Sequence, residues 1–413
     1  MCAAKTPLRI LLSAYACEPD RGSEPGVGWH WALALVRRGH EVWVLTRANN
    51  QPSIEHAIER MSGPERNRLH FIYYDLPAWA AWWKKKSRGV QLYYLLWQIN
   101  ILPVARAAQA THQFDVVHHL TFGVWRQPTQ LYKLGVPLIF GPVGGGETAP
   151  RNLVDTLSLA SRSWELIRYL ANRFATFNPA LRSCLRESRW VISKTKETAA
   201  WIARAGVHSD IALEIGIDIN PLLPHQERGE GKSMRCLYAG RLIGLKGIHL
   251  GIQALANARE KGCDISLTIV GKGPMRRRLK ALSSRLNMEE HIQFIDWLDQ
   301  DALFQQYHYH DVLLFPSLHD SSGNVILEAF AHGLPVVCFN LGGPGEIVDS
   351  STGIAVEPSD NAVSDLSQAL IRLATAPRDR ARLGRAARRK AVQTSWGNGV
   401  ANVYQPVENA LSI

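Results

Sequence analysis

No stretch of this 413-residue chain is long and apolar enough to cross a bilayer as a helix, which argues against a helical membrane span. The opening MCAAKTPLRILLSAYAC has only a short apolar core, 10–16, interrupted by Ser13, so it reads as a first buried strand and not a signal peptide. The six cysteines (Cys2, Cys17, Cys184, Cys236, Cys263 and Cys338) form no C-x-x-C pair. They read as reduced, mostly buried thiols of a cytosolic protein, with no role assigned. There is no internal repeat, no low-complexity tract and no recognisable nucleic-acid-binding motif. The last absence matters because a net charge of +11 and a pI near 9.5 call for a polyanionic partner. Without such a motif nucleic acid drops out, leaving an anionic membrane face and phosphorylated substrates. A redox enzyme binding a dinucleotide would show G-x-G-x-x-G straight after its first strand. Here Gly26-Val27-Gly28 is followed by Trp29, His30 and Trp31, so the third small residue is missing.

What is present is a folded chain, 46% hydrophobic and 20% charged, long enough for two domains. Its densest stretch is 315–347, FPSLHDSSGNVILEAFAHGLPVVCFNLGGPGEI. Leu313 and Leu314 close an apolar run that reads as a buried strand, and Pro316 ends it because proline cannot donate to a sheet ladder. Ser321, Ser322 or Gly323 then caps a helix from about Asn324 to Ala331. Gly342, Gly343 and Gly345 read as a second flexible loop. Asp320 lies before the helix and Glu328 inside it, so two carboxylates flank a helix start whose N–H groups favour an anion. Taken singly, Asp320 is a cap and Glu328 a solvated helix face. A ligand carrying both phosphate and vicinal hydroxyls, such as a nucleotide sugar, would use all three features. Upstream, YAGRLIGLKG (238–247) follows an apolar strand and precedes a helical pattern. That places Arg241 and Lys246 on a strand-to-helix loop, where bases commonly point at phosphates. Gly240, Gly244 and Gly247 let backbone approach closely there.

With these pieces in view, residues 235–396 resemble the family 4 glycosyltransferases, of GT-B fold and retaining stereochemistry. The matching blocks run in order: GRLIGLKG, IVGKGP (269–274), FIDWL (294–298), FPS (315–317), the Asp320/Glu328 pair, EAFAHGLPVV (328–337), GGPGEIV (342–348) and a final SW (395–396). The family usually carries two glutamates spaced E-x7-E; the first is Asp320 here, one methylene shorter. The resemblance implies an α/β chain of two Rossmann-like α/β/α domains facing across an interdomain cleft. The expected boundaries are 1–219 for the acceptor domain, with 396–413 packing back on it, and 220–395 for the nucleotide-sugar domain. A Pro-, Glu- and Gly-rich linker covers 220–231.

In the first half, the loop CEPDRGSEPGVGW (17–29) resembles the family's glycine-bearing loop that faces donor diphosphate and acceptor. Gly22 is the candidate there, with Ser23 and Glu24 beside it, and a helix is expected from about Val27. DVVHHLTF (115–122) is a strand ending in two histidines. Family members commonly hold one near the donor sugar or acceptor, and either His118 or His119 could be the match. Alternation sends the two to opposite faces, which favours His119. GPVGGGE (141–147), centred on Gly145, is either backbone near a ligand or a mobile loop. The insertion-like 77–106 sets Trp79, Trp82 and Trp83 beside Lys84, Lys85, Lys86 and Arg88, before an apolar run 90–104. Tryptophan beside cations suits an anionic headgroup interface; the alternative is a core helix hairpin with a solvated basic turn.

The implied activity is hexosyl transfer from a nucleotide sugar to a saccharide or lipid-linked acceptor, with retention, on the cytoplasmic face of a membrane in polysaccharide synthesis. Arg241 and Lys246 would meet the departing diphosphate, aided by the helix start at Ser322, Gly323 and Asn324. Glu328 would accept from ribose hydroxyls, Asp320 from the sugar, and backbone near Leu298 would meet the base. No cofactor and no metal are expected, since two cations offset the diphosphate. A small acceptor, nucleotide-sugar epimerisation, or non-catalytic binding of a nucleotide sugar are the rival readings.

Overall fold

A computed structural model describes residues 7–77, 79, 89–217 and 233–411. They form two compact units, Met1–Gly146 with Ala171–Ile215 and Trp396–Ile413, and Glu147–Leu170 with Gly216–Ser395. Each is a Rossmann-like α/β unit built on a parallel sheet.

The first unit holds seven strands: β1 (Arg9–Ser13), β2 (Glu41–Thr46), β3 (Leu69–Tyr73), β4 (Val116–His119), β5 (Leu138–Val143), β6 (Trp190–Ser193) and β7 (Asp210–Ile211), in the order β3-β2-β1-β4-β5-β6-β7. The second holds β8 (Met234–Ala239), β9 (Ile265–Val270), β10 (Ile292–Ile295), β11 (Val312–Phe315), β12 (Val336–Phe339) and β13 (Gly353–Val356), in the order β10-β9-β8-β11-β12-β13. All the pairings are parallel. Strands covered on both faces need continuous apolar runs, and VLLF in β11 and VVCF in β12 are buried throughout. In both sheets the strand order reverses once, between β1 and β4 and between β8 and β11. Parallel sheets of this kind take ligands beyond the carboxyl ends of the strands at the reversal.

The core of the first unit is rich in aromatics: Tyr15, Trp43, Tyr93, Tyr94, Trp97 and Phe114 share one cluster. Buried indoles need an acceptor, and the three most enclosed each have one. Trp31 donates to Glu214 O at 2.7 Å, Trp97 to Tyr74 O at 2.9 Å, and Trp125 to Asn172 Oδ1 at 3.0 Å. The C-terminal helix, Trp396–Leu411, packs on this unit through Tyr404, whose hydroxyl lies 2.9 Å from His118 Nδ1.

Several expectations need correction. Residues 147–170 go with the second unit, because Arg168 approaches His319 Nδ1 at 3.4 Å and Asn152 donates to Pro358 O. The first helix begins at Ser23, four residues early, with Pro25 tolerated in its first turn. The apolar run 90–104 lies in the helix Val90–His112, which buries Tyr93, Tyr94, Trp97, Ile101 and Ala105 in the core and leaves Leu92 and Ile99 exposed. Lys84, Lys85, Lys86 and Arg88, like the 220–231 linker, lie outside the described residues. The glycines at 342–345 are no flexible loop: they open a short buried helix, Gly342–Ile347, and Gly343 N–H donates to Asp320 O at 2.9 Å. No helix among the described residues is long and apolar enough to cross a membrane.

Candidate functional site

In the second unit the loops after β8 and β11, either side of the reversal, carry the residues singled out from the sequence. Gly247 adopts φ +63°, and a Cβ there would sit 1.8 Å from Pro316 O, so the close approach it allows is between these two loops. Leu318 N–H donates to Leu245 O at 2.8 Å and fastens them.

Lys246 Nζ then pairs with Asp320 Oδ2, and both side chains are about five-sixths buried. Asp320 Oδ1 accepts from the N–H groups of Ser322 and Gly323, each at 3.2 Å. Asp320 thus does the capping for Gly323, which starts the helix at φ +76° with no side chain of its own to cap it. Burial pushes the Asp320 carboxyl up, but Lys246 and the two amides outweigh it and hold the group below its ordinary range. Lys246 also lies over the Phe315 ring, 5.3 Å from its centroid. Arg241 is exposed on the same loop and makes no ion pair with the described residues, leaving it free to meet an anion. Gly240, at φ +156°, turns the chain out of β8 beside Tyr238.

Inside the helix Asn324–Ala331, Glu328 is half-buried and accepts from the Tyr307 hydroxyl at 2.8 Å. Its other oxygen takes no hydrogen bond from the described residues. Burial raises the Glu328 carboxyl above its ordinary value, and the Tyr307 bond only partly offsets this. Asn324 at the helix start has an enclosed carboxamide oxygen with no hydrogen-bond partner among the described residues. Buried polar atoms of this kind are few in native structures and ask for a reason. Leu298 is half-buried in the loop after β10, just before Asp299, which caps the following helix.

The reversal in the first unit gathers a second group. Gly22 is exposed and flanks the helix start, while Ser23 sits at φ +61°. Glu24 Oε2 accepts from Phe122 N–H, just past β4, at 2.9 Å. Its Oε1 lies 3.5 Å from Lys194 Nζ, and Lys194 also pairs with the buried Glu214 at 2.7 Å. The two histidines do face opposite ways. His118 has Nε2 at 2.6 Å from Gly141 O and Nδ1 at 2.9 Å from Tyr404 Oη, so it clamps β4 to β5 and the C-terminal helix. His119 stacks on Phe140 with Nε2 3.3 Å from Tyr94 Oη; its Nδ1 has no partner among the described residues. Burial depresses both, His118 to about 4 and His119 to about 3, so both are neutral at pH 7. Gly145, at φ +88°, has its carbonyl held by Arg126, and Gly146 N–H donates to Thr198 Oγ1 at 3.1 Å. Hydrogen bonds hold the glycine run at both Gly145 and Gly146.

The structure therefore joins Lys246, Asp320, Ser322 and Gly323 in one network, with Arg241 on the same loop and Glu328 one turn into the helix. It keeps Gly22, Ser23, Glu24, His118, His119 and Gly145 within the other unit. Sequence reasoning missed Tyr307 and Lys194, which reach their carboxylate partners only through the fold; nothing local in the sequence marks either.

Residues 224–390 match the family model described as Glycosyl transferases group 1. The chain is also 34% identical, over 155 residues, to the glycogen synthase of Mycobacterium tuberculosis. That match covers 37% of this chain and 37% of the synthase, so only about a third of the relative's length is spanned. Among solved structures, a sucrose-phosphate synthase from Thermosynechococcus elongatus has a TM-score of 0.65 at 18% identity, covering 98% of this chain and 99% of its own. HepE of Anabaena, solved in complex with UDP and glucose, has a TM-score of 0.59 at 18% identity, covering 97% of this chain and 100% of its own. At that identity the two structures establish the fold, two Rossmann-like domains of the GT-B class, and no more.

Proposed function

We propose that this protein is a retaining glycosyltransferase that moves a hexosyl unit from a nucleotide sugar to a saccharide acceptor carried on a lipid. The observation that carries the reading is the grouping at the β8/β11 reversal: two cations, a capped helix start and a half-buried glutamate within the segment that matches group 1 glycosyltransferases. As the bond from the sugar's anomeric carbon to the diphosphate oxygen breaks, negative charge grows on the leaving group. Fixed cations favour that transition state over the ground state, a role for Arg241 and Lys246. Asp320 holds Lys246 and the loop in place, and the remaining lone pair on its Oδ2 accepts from a sugar hydroxyl. Glu328, through its open oxygen, accepts from the ribose hydroxyls, and backbone near Leu298 meets the base. The acceptor oxygen bonds to the anomeric carbon on the face being vacated, and its proton passes to the departing phosphate. No protein base is then required, and the two cations take the place a metal ion would fill.

At the helix start in the first unit Gly22 is a donor-side candidate and His119 a catalytic one, with Ser23, Glu24, His118 and Gly145 toward the acceptor. A basic pI and the Lys84–Lys86 run support a lipid-linked acceptor at a cytoplasmic membrane face. The test is a panel of nucleotide sugars in a thermal-shift assay, followed by product analysis with and without acceptor. One sugar nucleotide should raise the melting point, and a glycosylated product should form only when acceptor is present. Turnover of donor to a free epimer without acceptor, or no response to any nucleotide sugar, would overturn the reading.

A further inference from the structure

Most helices on a globular surface turn their apolar stripe inward. The helix Leu159–Ala175 does the reverse. Its buried side chains are polar: Asn172 is fully enclosed, receiving Trp125 Nε1–H, and Glu165 is 5% exposed, accepting from Ala149 N–H and pairing with Arg168. Its large apolar side chains face out. Leu159 is 79% exposed, Leu166 59% and Phe174 67%, with Ile167 and Leu170 beside them, and Phe177 just beyond the end is 68% exposed. At 3.6 residues per turn the five helical positions fall within an arc of about 100°, so they form one continuous stripe. Trp164, also well exposed, lies at its edge. Scattered apolar residues on a surface need no explanation, but a contiguous stripe does.

Charge says what covers it. Between 159 and 189 the chain carries six arginines (162, 168, 173, 182, 186 and 189) against two glutamates, and one of those, Glu165, is already neutralised by Arg168. Arg173, Arg186 and Arg189 are exposed. A stripe of leucine, isoleucine and phenylalanine edged by tryptophan, with the exposed Arg173 beside it on the same helix and an arginine-rich chain around it, matches an interfacial helix lying in the headgroup plane of an anionic membrane. We propose that the outward face of this helix docks the protein on an anionic phospholipid surface. The proposal stands apart from the glycosyl-transfer reading, because vesicle binding is measured without donor or acceptor and either can fail alone.

The full chain is to be spun with vesicles of phosphatidylcholine alone and with vesicles containing phosphatidylglycerol. Cosedimentation is expected with the second kind, weakening as salt is raised. Leu166→Gln with Phe174→Gln, both at exposed positions, should lower the partition coefficient by about tenfold or more while the circular dichroism spectrum and melting point stay unchanged. Arg173→Gln should lower binding to the anionic vesicles only. The proposal is overturned if the wild type stays in the supernatant, or if the variant carrying both apolar substitutions binds as well as the wild type. It is equally overturned if binding disappears only when Lys84–Lys86 are neutralised. Sedimentation of the wild type as a dimer that the apolar substitutions dissociate would assign the face to a second copy instead.

Discussion

Replacing Lys246 with alanine separates the structural and chemical roles of the Lys246–Asp320 pair. Both side chains are about five-sixths buried, so the substitution strands a carboxylate out of water. Losing one partner of a buried pair costs about 3–5 kcal/mol. Asp320 keeps its two amide donors from Ser322 and Gly323, which puts the expected cost near the lower end, about 3 kcal/mol. For a unit of this size that is a fall in melting temperature of roughly 6–12 °C. Asp320→Asn alone strands the ammonium instead, and the double variant loses less than the sum, with a coupling of about 1–3 kcal/mol. The pH dependence has a definite sign. Asp320 is held below its unfolded value, so its contribution is complete above about pH 4 and is lost on acidification through the folded pKa. In Lys246→Ala the pull of burial is opposed only by the amides, so the acid limb of the stability curve should move to higher pH. Melting curves from pH 3 to 8 for the wild type, the two single variants and the double variant read this out. Turnover is a separate axis: losing one transition-state cation costs about 2.7–4 kcal/mol, a hundredfold or more in kcat. Additive single effects with an unmoved acid limb would refute the pair as drawn, whatever happens to turnover.

Glu328→Gln should act in opposite directions on stability and binding. The folded carboxyl is raised by burial, so ionised Glu328 costs stability at pH 7. The neutral amide should therefore hold or raise the melting point while weakening nucleotide binding by about tenfold or more, read by calorimetry. Gly247→Ala forces a Cβ to within 1.8 Å of Pro316 O at φ +63°. It should cost on the order of 2–4 kcal/mol from strain and overpacking together, seen in denaturant unfolding. His118→Phe breaks the clamp between β4, β5 and the C-terminal helix and should lower stability strongly, whereas His119→Phe should spare stability and affect only acceptor-dependent turnover. Because His118 and His119 are depressed to about 4 and about 3 from 6.5, the wild type should lose stability as pH falls below that value, and His118→Phe should flatten the slope in part. Transfer activity measured in excess chelator should be unchanged; its abolition would refute the two-cation account.

The local rules written in the sequence were sufficient for the alternation of strand and helix in both halves. VLLF and VVCF are too apolar to be anything but doubly covered strands. Pro316 and the glycine at 323 then mark where strand ends and helix begins, within a residue of where the structure puts them. The order of Arg241, Lys246, Asp320 and Glu328 along the chain was equally plain, because each sits a fixed distance from such a boundary. Partner choice was not. Asp320 read alone is either a sugar contact or a helix cap; only folding, which brings the β8 loop against the β11 loop, gives its oxygens to Lys246 and two amides. Tyr307 meets Glu328, and Lys194 meets Glu24 and Glu214, across separations that no periodicity encodes. The same holds for the Gly342–Ile347 segment and for the helix Leu159–Ala175. Composition marks the first as loop-forming, and the second drew no reading at all; which side of either is covered depends on what the rest of the chain packs against it. Short-range sterics and hydrophobic period act within a few residues and can be read in order. Burial, ion pairing and the pKa of a carboxylate are set by neighbours that only the closed tertiary structure supplies.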